Sequence, residues 1–172
     1  MPSNSIKRNI NIYFSSVYED PMSNLIKEFK FKSNINFAKI FAKLIYNTYK
    51  YYNIEFENAP EILYIPSTID HLKNRGYNPV KLIAKELHKI TGFEISNDLK
   101  INKKYSKSQI DAKNYFERKT QIKGKFKFVG SNKKNYILID DVYTTGATVE
   151  EAINEIRGNV IPIILCKNVK NR

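Results

Sequence analysis

The sequence predicts an α/β protein, a parallel sheet flanked by helices, and three observations carry that expectation. Tyr136 to Asp140 and Val160 to Cys166 are continuous apolar runs, as strands buried on both faces require. Between them, from about Val149 to Arg157, lies a helical stretch closed by Gly158 and Asn159. Strand, loop, helix, strand at this length forms a right-handed parallel crossover.

The remaining elements extend this unit. Pro21 to Tyr52 reads as helical because Ala38, Phe41, Ala42, Ile45, Tyr49 and Tyr52 recur on one face, and residues 1–55 are accordingly expected to be an N-terminal helical part. Ile62 to Pro66 is a short apolar run ended by proline, hence a strand. Asn78 followed by Pro79 is a helix start, with an amide N-cap and a proline where its missing N–H costs nothing. Val80, Leu82, Ile83, Leu87 and Ile90 carry that helix to Gly92. Residues 97–123 are polar and basic and read as a mobile excursion with one short helix. Lys125 to Val129 alternates like an exposed strand. With no internal repeat and no long linker, residues 1–172 are expected to form one domain.

Composition narrows the class. A hydrophobic content of 42% is enough for a core, while the longest apolar runs fall far short of the roughly twenty residues that span a bilayer. No apolar stretch follows the basic N-terminus as in a signal peptide, so a cytoplasmic location is expected. Cys166 is the single cysteine, which excludes a disulfide or a four-thiolate zinc site within one chain, and its apolar surroundings assign it to core packing.

The net charge of +12 is unevenly distributed. Lys100 to Lys134 holds twelve basic residues against Asp111 and Glu117, and twelve minus two places ten of those charges in one segment. Tyr105, Tyr115, Phe116, Phe126 and Phe128 are interleaved there, one of the last two being expected in the core. Cations that track a phosphate backbone beside rings that stack on bases suit single-stranded DNA. Lys103, Lys104, Lys107 and Lys113 are the candidate phosphate contacts, and Tyr105 and Tyr115 the candidate stacking residues; solvated surface charge is the alternative.

The stretch 137–148, ILIDDVYTTGAT, carries the chemistry. In an open parallel sheet ligands bind beyond the carboxyl ends of strands, where loops enter helix N-termini. Gly146 lets the backbone approach a ligand, and Thr144, Thr145 and Thr148 offer hydroxyls beside the free N–H groups of the next helix, which makes a phosphate cradle. Thr148 and Glu151 match a capping box. Asp140 and Asp141, expected to face solvent at the strand end, would repel a bare anion but would accept hydrogen bonds from vicinal hydroxyls. A ribose between the acidic pair and the phosphate loop satisfies both.

This string resembles the signature of type I phosphoribosyltransferases: an apolar strand, two acidic residues, two apolar positions and a Thr/Gly-rich loop, with Tyr143 in the second apolar position. The resemblance implies a type I phosphoribosyltransferase-like sheet, with Asp140 and Asp141 as the catalytic pair holding the ribose hydroxyls of phosphoribosyl pyrophosphate. It also implies that Thr144, Thr145, Gly146, Ala147 and Thr148 hold the 5′-phosphate, and that Mg2+ rides on the pyrophosphate without a direct protein ligand.

From about Tyr18 to Cys166 the chain is similar to the ComF family of competence-associated phosphoribosyltransferase-like proteins. Tyr18-Glu19 and Leu25-Ile26-Lys27-Glu28-Phe29-Lys30-Phe31 resemble its opening segment, and Arg75-Gly76-Tyr77-Asn78 its Arg-Gly-Phe-Asn. Gln109, Arg118, Gln121 and Phe126 resemble a later constellation. Ile65-Pro66-Ser67 sits where the family has its pyrophosphate loop, so Pro66, Ser67, Thr68 and Arg75 are the implied pyrophosphate-binding residues. Tyr64 replaces the first of two prolines usual before that loop, and Pro79 replaces a glutamine. The four-cysteine zinc finger of many members is missing from this sequence. His71 and His88 have no second ligand residue at metal spacing, and His88 reads as a residue of an amphipathic helix. Two functions follow from the resemblance: phosphoribosyl transfer to an acceptor with release of pyrophosphate, or a non-enzymatic DNA-uptake module that binds single-stranded DNA.

Overall fold

A computed structural model describes residues 10–32, 34–105 and 122–169. Four strands form a parallel sheet in the order β1-β6-β5-β2: β1 (Tyr13–Val17), β2 (Glu61–Tyr64), β5 (Asn135–Tyr143) and β6 (Asn159–Lys167). All three pairings are parallel. A separate antiparallel pair joins β3 (Leu99–Ile101) to β4 (Phe126–Phe128). The helices are α1 (Met22–Phe31), α2 (Phe37–Tyr51), α3 (Ile69–Arg75), α4 (Pro79–Thr91) and α5 (Ala147–Glu155). None among the described residues is long and apolar enough to cross a membrane.

Successive side chains of a strand face opposite sides, and β5 uses both. Ile137 and Ile139 pack with Phe29 of α1, Phe41 and Ile45 of α2 and Ile83 of α4. Tyr136 and Leu138 pack with Val149 and Ala152 of α5, and with Leu99 and Phe126 of the β3–β4 pair. Each fully buried side chain of this size contributes roughly 1.5 to 3 kcal/mol, so the sheet is anchored on both faces and its carboxyl end is held firmly.

The crossover β5–α5–β6 matches the sequence expectation, with α5 starting two residues before Val149. The fourth helix also matches: Asn78 accepts from the Lys81 N–H at 3.1 Å, Pro79 opens the helix, and Gly92 closes it with φ +74°. Three expectations need correction. Residues 1–55 are not wholly helical, because β1 forms the sheet edge against β6. The expected helix from Pro21 to Tyr52 is two helices, divided between Phe31 and Phe37. The capping box does not form: Gly146 is the N-cap of α5, Thr148 lies inside the helix, and the Glu151 carboxylate accepts from the Gly124 N–H at 2.5 Å instead.

Candidate functional site

Asp140 and Asp141 lie on opposite faces near the end of β5, which continues past the expected Asp140 to Tyr143, and both are buried rather than solvent-facing. Lys30 of α1 reaches Asp141 with Nζ at 2.6 Å from Oδ1, at side-chain exposures of 18% and 11%. Asp140 accepts from the Asp141 backbone N–H at 2.9 Å and lies within the field of Lys125, which precedes β4. Burial first, and then the neighbouring Asp141 charge, push the Asp140 carboxyl up to about 7, with Lys30 and Lys125 partly offsetting the rise. Burial lowers the Lys125 ammonium in turn, against the pull of Asp140. Two carboxylates are thus met by two lysines, one from each layer flanking the sheet. Cys166 is fully buried beside Asp141, and both burial and that charge push its thiol up to about 12, so it is an inert packing residue.

Three residues beyond Asp141 the chain turns into α5. Gly146 adopts φ +80°, where a side chain is strained, and a Cβ there would collide with the Tyr143 hydroxyl. Tyr143 is braced edge-on by Phe14, with ring centroids 5.3 Å apart. Gly146 at the N-cap has no side chain to cap α5, and the Ala147 N–H donates to the Thr145 hydroxyl at 3.5 Å, at the loop side of the helix start. Thr144 is exposed, Thr145 and Thr148 are half-buried, and Gly146 and Ala147 are buried. Backbone amides, hydroxyls and a helix N-terminus together suit an anion.

The loop after β2 lies beside this end of the sheet, since the Ile65 N–H donates to the Ile139 carbonyl at 3.1 Å. Pro66 and Ser67 are half-buried. Thr68 is buried and accepts from the His71 N–H at 3.5 Å, so its hydroxyl starts α3. The Arg75 guanidinium lies over the Phe31 ring, 4.8 Å from its centroid. Partial burial, followed by the charges of Arg75, Lys125 and Lys30, holds the His71 imidazole below its ordinary value against the opposing charge of Asp70.

No protein-family model matches the chain. Individual proteins do. Competence protein F of Haemophilus influenzae is 29% identical over 143 residues, 78% of this chain and 61% of that protein. ComFC of Streptococcus pneumoniae is 31% identical over 133 residues, covering 77% and 55%. ComFC of Bacillus subtilis is 26% identical over 151 residues, covering 86% and 57%. These three likenesses support assigning the chain to the ComF family. It spans between 55 and 61% of the length of these curated relatives.

The ComF-like Arg75-Gly76-Tyr77-Asn78 has a structural task at each later position. Gly76 closes α3 with φ +77°, and the Tyr77 hydroxyl donates to the Phe29 carbonyl, tying α1 to the start of α4. Asn78 caps α4 and also donates to the Ile65 carbonyl at 3.1 Å, which pins the loop after β2. Tyr64, in place of the family proline, turns its hydroxyl to Asn97 Oδ1 at 2.8 Å. His88 bonds the Phe93 carbonyl through Nδ1 at 2.8 Å, as an ordinary helix-end residue.

Sequence reasoning left Lys30 and Lys125 without roles. Lys30 had a signal: it falls four residues after Ile26 and one after Phe29, on the buried stripe of α1, where a cation demands a partner. Lys125 had none, being one lysine of a basic segment.

Among the nucleic-acid candidates, Lys103 is exposed, and the Tyr105 hydroxyl donates to the Lys123 carbonyl at 2.6 Å. Lys107, Lys113 and Tyr115 lie outside the described residues, as does the side chain of Lys104. Phe126 is fully buried and Phe128 half-buried against Tyr136, which places Phe126 in the core as expected of one of the two.

Proposed function

We propose that this chain binds phosphoribosyl pyrophosphate, with the ribose hydroxyls on Asp140 and Asp141 and the 5′-phosphate on Thr144, Thr145, Gly146, Ala147 and Thr148. One juxtaposition carries the reading. A buried acidic pair near a strand end is followed within a few residues by a left-handed turn into a helix N-terminus whose cap residue, Gly146, has no side chain, and a sugar phosphate has both chemistries at that spacing. Asp140, poised near neutrality, offers both a donor and acceptors to a diol. Pro66, Ser67 and Arg75 flank the pyrophosphate side. Magnesium fits as part of the ligand, since it keeps several waters and is held by substrate phosphates.

Transfer follows from the same geometry. The bond from ribose C1 to the pyrophosphate oxygen breaks, a bond from C1 to a nucleophilic acceptor forms, and the acceptor's proton passes to solvent. The chain's part is to hold the sugar and to stabilise charge on the departing group. Calorimetric titration with phosphoribosyl pyrophosphate and Mg2+ tests the reading. Saturable binding is expected in the wild type, weakened at least 100-fold by Asp140→Asn with Asp141→Asn, as loss of charge-assisted bonds worth about 1.5 to 3 kcal/mol each implies. Wild-type affinity in the double variant would refute it.

A second reading, single-stranded DNA binding in competence, is favoured by one observation besides the names of the relatives. Lys100 and Lys127 are exposed and directly opposite each other in the β3–β4 ladder. Like charges so placed repel, and a polyanion relieves them. Fluorescence anisotropy across a salt series is the measurement. Replacing both by Gln is expected to reduce the slope of log affinity against log salt by about 1.4, at about 0.7 per phosphate neutralised. An unchanged slope excludes this face.

A further inference from the structure

Lys30 and Lys125 approach the acidic strand end from opposite layers, yet they share a second neighbour. Both act on the imidazole of His71 in α3, the helix that follows the Pro66–Thr68 loop, and Arg75 of the same helix acts there too. The two ammoniums are therefore within electrostatic range of both the carboxylates and α3. Lys30 holds Asp141 Oδ1 at 2.6 Å, which is hydrogen-bond distance for a charge-assisted contact. A sugar hydroxyl that donates to that oxygen has to share it with the ammonium or displace it. A displaced ammonium with so little exposure cannot simply turn to water; it needs another anion within reach of its flexible stem.

We propose that Lys30 is an exchanging counter-ion for a ribose diphosphate ligand: its ammonium leaves Asp141 when the ribose diol binds and passes to the diphosphate, with Lys125 making the corresponding contact from the β4 side. This rests on the phosphoribosyl pyrophosphate reading of the site and adds to it the residues that select the diphosphate arm. Charge balance drives the exchange. With Asp140 resisting ionisation, the two lysines at least balance the two carboxyls without a ligand, so the hydroxyls can take over the carboxylates only if the cations gain new anions. A diphosphate on C1 supplies them, and ribose 5-phosphate does not. The protein would therefore bind the complete ligand far better than its sugar phosphate half, and that preference would depend on residue 30.

The experiment is calorimetry of the full chain with three probes in the presence of Mg2+: phosphoribosyl pyrophosphate, ribose 5-phosphate and inorganic pyrophosphate. Wild type is expected to prefer phosphoribosyl pyrophosphate over ribose 5-phosphate by at least 100-fold. In Lys30→Gln, affinities for phosphoribosyl pyrophosphate and pyrophosphate should fall 10-fold or more while ribose 5-phosphate binding stays equal or tightens, because its competitor for Asp141 is gone. Equal losses for phosphoribosyl pyrophosphate and ribose 5-phosphate, or no loss for either, would overturn the proposal by reducing Lys30 to a structural ion pair. Lys30→Arg provides the same test with the charge kept, should the Gln variant unfold. A guanidinium grips a carboxylate through two bonds and exchanges poorly, so ribose 5-phosphate should bind at least 5-fold more weakly than to wild type, and unchanged binding would overturn the proposal. Failure of wild type to bind either sugar phosphate would instead refute the underlying reading of the site.

Discussion

Asp140 and Asp141 are buried side chains whose charge is met by the protein's own lysines, whereas Thr144 to Thr148, three residues further on, offers mainly backbone on a turn held open by a glycine. The acidic end is costly in electrostatics: two carboxylates are desolvated side by side, and Asp140 resists ionisation as a result. The loop is costly in conformation: Gly146 sits at a φ that other residues adopt only under strain. One half thus carries charge strain and the other a constrained backbone shape. Substitutions in the two halves should accordingly differ, in pH dependence above all.

The sharpest break should come from the loop. Gly146→Val adds a branched side chain at φ +80°, against the Tyr143 hydroxyl. Affinity for phosphoribosyl pyrophosphate is expected to drop more than 100-fold by calorimetry. Strain of about 1 to 2 kcal/mol should lower the melting temperature by several degrees, independently of pH. Retention of a phosphate or sulfate in the crystallised variant loop would count against the cradle.

The acidic end should respond in the opposite sense. The folded-state pKa of Asp140 is raised to about 7 from 3.8, so between those values the native chain binds a proton that the unfolded chain has released. Stability from this group is therefore present at pH 4, falls as pH rises towards 7, and is gone above it. Asp140→Asn is permanently neutral. It should match wild type at pH 4 and exceed it at pH 8 by on the order of 1 to 3 kcal/mol, as thermal or urea melts at both pH values would show. A variant less stable than wild type at pH 8 would mean that the Asp140 charge stabilises the fold.

A smaller effect probes the link between the halves. Glu151 of α5 accepts from the Gly124 N–H, and Gly124 precedes Lys125, so one carboxylate ties the helix of the phosphate loop to the lysine that faces Asp140. Glu151→Ala should cost about 1 to 2 kcal/mol and speed hydrogen exchange of the Gly124 amide. Unchanged exchange would show that the tether carries no strain.

What could be read from the sequence follows from which signals the chain writes locally. Tyr136 to Asp140 announces a strand because it is apolar on both faces, and the acidic pair and the turn after it are visible because Asp-Asp and Thr-Thr-Gly lie close together in the sequence. β1 stayed hidden: Tyr13–Val17 includes two serines and lies at the sheet edge, so it carries neither a continuous nor an alternating apolar pattern. α3 has no buried residue, and only its Thr68 cap and Gly76 stop define it. The capping box failed because two candidate N-caps, Gly146 and Thr148, lie two residues apart, and the left-handed turn decided for the first. The Lys30–Asp141 pair joins residues 111 apart, a relation that no window of sequence displays.

Asn78 sets a chemical constraint of its own. Its carboxamide oxygen accepts from Lys81 while its nitrogen donates to Ile65, so one planar group fastens the first turn of α4 to the loop after β2. Aspartate would keep the first contact and turn the second into a repulsion between oxygens; serine has too little reach to make both. Exchange of a single NH2 for an oxygen, as in Asn78→Asp, would thus leave a helix correctly started beside a loop no longer clasped to it. That variant should lose the shape of the loop while keeping its fold.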